Sequence, residues 1–223
     1  MPATRLAAQP MSVLRFDVVG EDSDHFRNFV CHVGLASEAD GQVCRDAQVR
    51  VAHMGPPFEN PGWMCVHTIG SPQLGLDESN PVSLYLHEIE MEYHAAQRRP
   101  TRWKQYTVCP HVKPWVAKDG TPLWHRFSCA GLVIEAYKEA EITLVDLSAD
   151  RLPDVYPDTL DTAYPDLAPV MERHPGLRAE LGLPGDGPWK AVLAGYVIHS
   201  LNRSAEEIRT TPYEARSRDM TFP

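Results

Sequence analysis

The stretch WHRFSCAGLVIEAYKEAEITL, residues 124–144, decides the fold. Its apolar residues recur at the 3.6-residue spacing of a helix that is buried along one face. Ser128 precedes the first turn and is a preferred N-cap residue. Cys129 then stands at a helix N-terminus, where unpaired N–H groups and the helix dipole favour a thiolate and lower its pKa. We expect Cys129 to be a nucleophile; the alternative is a small buried structural thiol.

The amino-acid composition of the whole chain argues against several classes of function. The 223-residue chain is 43% hydrophobic and 23% charged, which is the balance of a globular protein with one sizeable core. Its net charge of −9 argues against a nucleic-acid partner. No run of 18 apolar residues predicts a membrane span, and the N-terminus lacks a signal-peptide core. Five irregularly spaced cysteines favour a reducing compartment, so we expect a cytoplasmic protein.

The residues before the cysteine helix are expected to form strands. Alternation of apolar and polar residues indicates strands over 12–19, 29–36, 48–54 and 64–70. Asp40 and Gly41 form a turn signal, so the second and third strands should form a hairpin. Residues 82–97 fit a strand or a helix. We predict a further strand over 104–109 and a proline-rich loop over 110–122.

The rest of the chain is expected to be helical. Beyond a proline-punctuated stretch, helices are predicted near 166–182 and 187–208. Strands first, a central helix next and helices last indicate an α+β fold rather than a doubly wound α/β fold. We divide the chain into a catalytic core over 1–149 and a helical C-terminal extension over 150–223. The extension should pack on the core as part of a single domain.

Two motifs carry a family resemblance. C-A-G-L-V at 129–133 resembles the cysteine segment of the NlpC/P60 superfamily, although Ala130 replaces a common serine and Glu141 a common glycine. The family's histidine strand resembles C-H-V-G-L at 31–35, followed by V-R-V-A-H at 49–53. Because the histidine precedes the cysteine, the order resembles the circularly permuted branch, which includes YiiX-like hydrolases and lecithin–retinol-acyltransferase-like enzymes. The resemblance implies a papain-like fold, with an antiparallel sheet packed on a central cysteine-bearing helix.

The resemblance also implies the roles of the site residues. Cys129 would be the nucleophile, His32 the general base and His53 the group that orients the base. A hairpin would bring the two rings within hydrogen-bond distance. The oxyanion would meet the N–H of Cys129 and one further donor that the sequence does not identify. Candidate substrate-binding residues are His125, Trp124 and Ser128.

Other interpretations of the histidines stay open. His32 could be a half-buried strand histidine, and His53 a loop histidine. His199 is a rival base that follows Cys129 in the unpermuted order. The HEIEMEYH run at 87–94 lacks a metal-ligand spacing and is better explained as a charged edge, so we expect neither a metal nor a cofactor.

The predicted activity is a cysteine hydrolase of the amidase or thiol-protease kind, or an acyltransferase. It would act on an amide, isopeptide or (thio)ester bond of a small-molecule or peptide substrate through an acyl-enzyme. The alternatives are a non-catalytic binding module that keeps the fold and a biosynthetic transferase that forms an amide. A homodimer is compatible with the sequence, and a membrane partner is not expected.

Overall fold

The chain has a mixed α+β fold. The computed structural model describes residues 16–22, 29–38, 48–54, 62–64, 67–68, 74–95, 104–165 and 167–223. Within them lie a five-stranded antiparallel sheet, a two-stranded antiparallel ribbon and several helices. The α+β class expected from the order of elements is confirmed.

The five-stranded sheet forms the N-terminal part of the fold. Its strands are β1 (Val18–Asp22), β2 (Val30–Glu38), β3 (Gln48–His53), β4 (Gly62–Met64) and β5 (His67–Thr68). Their order in the sheet is β4-β3-β2-β1-β5, and every neighbouring pair is antiparallel. The predicted hairpin is present as β2 and β3, but its turn at Asp40 and Gly41 lies outside the described residues, as do Cys44 and Cys65.

The two faces of β2 have different roles. Val33 and Leu35 are fully buried in the hydrophobic core, while His32 and Gly34 alternate with them and belong to the other face. The pairing with β1 skips Cys31, because Glu21 opposes His32 and Asp22 opposes Val30. Cys31 follows the same alternation as Val33 and Leu35, but because of this bulge it is only partly buried, and Val30 packs in the core instead.

Residues 82–97, which fitted a strand or a helix, belong to helix α1 (Leu76–Ala95). Its buried residues recur at helical spacing. The opposite side of the helix is exposed, and it includes most of the charged residues of the HEIEMEYH run: His87, Glu88, Glu90 and His94. The buried set is Ser79, Val82, Leu86, Ile89 and Tyr93.

Two predictions for residues 104–127 are wrong. Residues 104–109 do not form a strand; only Tyr106 makes an isolated bridge, to Phe127. The supposed loop at 110–122 instead contains β6 (Val112–Val116), which pairs with β7 (Pro122–Phe127) in an antiparallel ribbon. Proline is tolerated at such edge positions because an outer strand needs no donor on its free side.

Helix α2 (Cys129–Lys138) is the central helix of the core. It packs on β2 and on a later helix, α6 (Ala194–Leu201), and its apolar residues from Leu132 to Tyr137 are fully buried. The helix predicted over 166–182 is two short helices. The helix predicted over 187–208 begins only at Ala194 and is also divided into two, of which the second ends at Thr210. A further helix precedes all four. The later helices are α3 (Pro157–Ala163), α4 (Ala168–Arg173), α5 (Pro175–Glu180), α6 (Ala194–Leu201) and α7 (Ala205–Thr210).

The C-terminal segment returns to the sheet. Val30 donates its N–H to the carbonyl oxygen of Met220 at 2.9 Å, and Phe29 forms a bridge with Thr221. Asp219 is buried, and its carboxylate accepts hydrogen bonds from the Tyr213 hydroxyl and the Arg216 N–H. Side chains from the sheet, α2 and the later helices belong to one hydrophobic cluster.

None of the helices in the described ranges is both long and apolar enough to cross a membrane.

Candidate functional site

The start of α2 fixes Cys129. Ser128 is the N-cap, and its Oγ accepts the N–H of Gly131 at 2.9 Å, as predicted for a capping serine. The Ser128 N–H donates to the carbonyl oxygen of His111 at 2.9 Å. Ser128 is fully buried, and its hydroxyl caps the helix; its contact with substrate stays a prediction.

The thiol of Cys129 is buried, with 1% of the residue exposed. Burial raises its pKa, although hydrogen-bond donors around the sulfur favour the thiolate; these are the N–H groups of Val33 and Ala130 and the hydroxyl of Tyr106. The expected lowering of the pKa at the helix N-terminus is therefore wrong. Removal of the sulfur from water outweighs the donors at this position.

His32 and His53 form the predicted pair. Nε2 of His32 lies 2.8 Å from Nδ1 of His53, and the two rings meet edge to face with centroids 5.0 Å apart. In the sheet, His53 opposes Gly34 rather than His32, so the two rings meet along a diagonal of one face. The hydrogen bond inferred from the hairpin is present.

Gly34 makes this pair possible. A Cβ on Gly34 would lie 2.8 Å from the Cβ of His53 and 2.6 Å from Cγ1 of Val51. A residue with a side chain would therefore push β3 away from β2. The glycine of the H-V-G run lets β3 approach closely enough for the His53 ring to reach His32.

Both imidazoles are held in the neutral form. Burial, followed by the neighbouring His53, lowers the pKa of His32 to about 3. Burial also lowers the pKa of His53. Neutral imidazole accepts a proton through one nitrogen and donates through the other, so the pair can pass a proton along its hydrogen bond.

The thiol approaches the histidine strand at a peptide bond. The Val33 N–H, which favours the thiolate of Cys129, belongs to the peptide between His32 and Val33. Helix α2 thus presents its first residue to the backbone of β2 next to His32, whose side chain belongs to the strand face opposite Val33. This contact brings the cysteine motif, distant in sequence, to the backbone of the histidine strand.

The structure separates the other two candidate substrate contacts. Trp124 and His125 are consecutive in β7, so their side chains project from opposite faces of the ribbon. Trp124 stacks on Trp115, with ring centroids 5.9 Å apart. His125 instead faces α1, where its Nδ1 lies 2.9 Å from Oε1 of Glu92. The two side chains do not line one surface of the ribbon.

Sequence reasoning missed two tyrosines near the thiol. The hydroxyl of Tyr106 lies beside both the N–H and the thiol of Cys129. Buried Arg126 donates through Nε to the carbonyl oxygen of Tyr106 at 2.8 Å and fixes that residue. Tyr164, just past the end of α3, packs edge to face on Tyr106 with ring centroids 6.4 Å apart. No local sequence pattern links these residues to Cys129.

The remaining candidates have other partners. His199 of α6 donates from Nε2 to the carbonyl oxygen of Thr221 at 2.8 Å, and its Nδ1 lies 3.9 Å from Oδ1 of Asp219. The rival base is thus tied to the C-terminal segment. Across the described residues, no group of three His, Cys, Asp or Glu is arranged to hold a metal ion.

The raised pKa predicts slow alkylation of Cys129. At pH 7.5, iodoacetamide should label Cys129 at least about tenfold more slowly than the partly exposed Cys109. Burial raises the pKa of both thiols, but only the sulfur of Cys129 is also covered. The rate should climb as the pH rises above 9. Peptide mass spectrometry over a pH series measures both thiols in one sample. Fastest labelling at Cys129 near neutral pH would contradict this assignment.

Comparison of the chain with protein-family models, curated proteins and solved structures found no match in any of the three.

Proposed function

We propose that this protein is a cysteine-dependent hydrolase or acyltransferase that acts on an amide, isopeptide or (thio)ester bond. Cys129 is the nucleophile, His32 the general base and His53 the residue that orients His32. One observation carries the proposal: the first residue of a buried helix meets the backbone of β2 at Val33, and the preceding residue, His32, is hydrogen-bonded to a second histidine. A papain-like fold of the permuted NlpC/P60 type is part of the same proposal, supported by the antiparallel sheet packed on α2.

The reaction starts from a neutral thiol and a neutral imidazole. As the sulfur of Cys129 attacks the carbonyl carbon, its proton moves to Nδ1 of His32, while Nε2 stays hydrogen-bonded to His53. The C–S bond forms, and the carbonyl π electrons move to oxygen. When the tetrahedral intermediate collapses, the bond to the leaving group breaks and His32 returns the proton to it. Water or an amine then attacks the thioester.

Burial has a kinetic consequence for this chemistry. The low polarity that raises the pKa of Cys129 and lowers the pKa of His32 disfavours a resting ion pair. Proton transfer must then accompany attack on the substrate. Since only 1% of Cys129 is exposed, acylation also needs a local opening that admits the acyl group. A reducing cytoplasm, which keeps the thiol free, is the compartment we propose for this enzyme.

The proposal is tested with an activated ester. Incubation with p-nitrophenyl acetate should release a burst of nitrophenol and leave an acetyl group on Cys129, detected by intact and peptide mass spectrometry. Cys129→Ser should abolish the acyl-enzyme, and His32→Ala should slow its formation by about 100-fold or more, the usual contribution of a general base. Cys109→Ser is the matched control, because it removes a partly exposed thiol elsewhere.

The burial of the thiol favours a second candidate function, a binding module without catalytic activity. A buried sulfur with a raised pKa is typical of a structural cysteine, as in a binding module that keeps the fold without the activity. In that case, no acetyl group would accumulate on Cys129 at any pH at which the protein stays folded. A biosynthetic transferase, in contrast, would form the acyl-enzyme and release it faster to an added amine than to water.

A further inference from the structure

Tyr164 carries an unsatisfied hydroxyl. Its Oη is buried and has no hydrogen-bond partner among the described residues. A buried polar atom without a partner is uncommon in folded proteins, because its loss of hydration is not compensated. A function can account for such an atom, for example the donation of a hydrogen bond to an acceptor on a bound ligand.

The surroundings of this hydroxyl include the candidate nucleophile. Tyr164 packs edge to face on Tyr106, and Tyr106 runs alongside Phe127, two residues before Cys129. A negative charge on the Cys129 sulfur would raise the pKa of Tyr164, so the two groups share one region of low polarity. The Tyr106 hydroxyl lies close enough to the Tyr164 oxygen to act on it as a hydrogen-bond donor, which lowers the pKa of Tyr164. The contact is not a well-formed hydrogen bond, and the proton of the Tyr164 hydroxyl has no acceptor among the described residues.

The hydroxyl of Tyr164 keeps its proton and can therefore donate a hydrogen bond. Burial raises the pKa of Tyr164 above its usual range, so its hydroxyl stays protonated in neutral and mildly alkaline solution. The proposed acyl transfer needs a second oxyanion donor besides the Cys129 N–H. A neutral donor in a region that excludes water is well suited to stabilise a charge that develops during the reaction.

We propose that the hydroxyl of Tyr164 is the second oxyanion donor and hydrogen-bonds the oxygen of the tetrahedral intermediate formed on Cys129. This rests on the proposed acyl-transfer function. As the sulfur bonds to the carbonyl carbon, the carbonyl electron pair moves to oxygen, and that oxygen accepts the hydrogen bond from Tyr164. The thiol proton moves to His32. When the leaving group departs, the electron pair on the oxyanion re-forms the carbonyl double bond. Tyr164 keeps its proton throughout.

The test compares two reactions of the same sulfur. Acylation by p-nitrophenyl acetate passes through an oxyanion, whereas alkylation by iodoacetamide displaces iodide and forms none. Tyr164→Phe should therefore lower the acylation rate of Cys129 by about 100-fold, the usual loss when one oxyanion donor is removed. Its alkylation rate should stay within about twofold of wild type. Tyr156→Phe is the matched control, because Tyr156 is the exposed tyrosine at the other end of α3.

Each outcome separates this inference from the proposed function. If wild type and Tyr164→Phe acylate at the same rate, Tyr164 is not a donor, and the cysteine mechanism still stands. If Tyr164→Phe slows acylation and alkylation equally, the residue only shapes access to the sulfur, and the inference is overturned. If the wild-type protein forms no thioester at Cys129, the proposed function fails and the inference fails with it.

Discussion

Replacing Gly131 with alanine is expected to destabilise the protein by about 3–4 kcal/mol, near the upper end for a single substitution. A Cβ at this position would lie 2.0 Å from the carbonyl oxygen of His111 and 3.1 Å from Oγ of Ser128. The first contact is with backbone, which cannot rotate away. Relief requires His111 to move, and this would break its hydrogen bond with the Ser128 N–H. Urea unfolding followed by circular dichroism measures the loss.

Gly176→Ala is the matched control for this substitution. Gly176 also lies in the first turn of a helix, α5, but no atom would lie within 4 Å of an added Cβ. The control should gain about 0.5–1 kcal/mol, because alanine loses less conformational entropy than glycine in a helix. Equal stability changes in the two variants would show that the His111 carbonyl does not constrain the start of α2.

The second large effect is a loss of stability in acid. His32 has a pKa of about 3 in the folded protein, against 6.5 in the unfolded chain, so the folded state binds its proton more weakly. The stability that comes from keeping His32 neutral is complete above pH 6.5 and is lost as the pH falls towards 3. At pH 4 the loss should be about 2–3 kcal/mol, which allows for the partial exposure of the residue.

This acid effect can be assigned to His32 by substitution. The free energy of unfolding of wild type, His32→Gln and His87→Gln should be compared at pH 7 and pH 4. His32→Gln should lose distinctly less stability between the two pH values than wild type. His87 lies on the exposed side of α1, so His87→Gln should follow wild type. The same pH dependence in all three proteins would show that other groups cause the acid sensitivity.

Parts of this fold were predictable because their signals are local. The start of α2 is specified by Ser128, the apolar spacing after it and Gly131, two residues after Cys129. The alternation around His32 and the turn residues after it predict the hairpin, and hence the contact with His53. In each case, residues that are close in sequence decide the structure, and cross-strand pairing follows from a short turn.

Other parts depend on contacts that no local pattern reveals. Proline at 114 suggested a loop, but it stands in an outer strand of a two-stranded ribbon, where a missing N–H costs little. Tyr164 comes from a proline-punctuated stretch beyond α2 and packs on Tyr106, the tyrosine beside the thiol. The pKa of Cys129 was predicted in the wrong direction, because helix geometry is visible in a sequence and the extent of burial is not.

The return of the C-terminal segment to the sheet has a consequence for protein synthesis. The start of β2, two residues before His32, is paired with Met220 and Thr221, which leave the ribosome after every other part of the site. A nascent chain can already contain both histidines and the cysteine while this edge of β2 is still unpaired. The site is therefore completed only after translation has passed residue 221, and until then the exposed edge is open to aggregation or to chaperone binding.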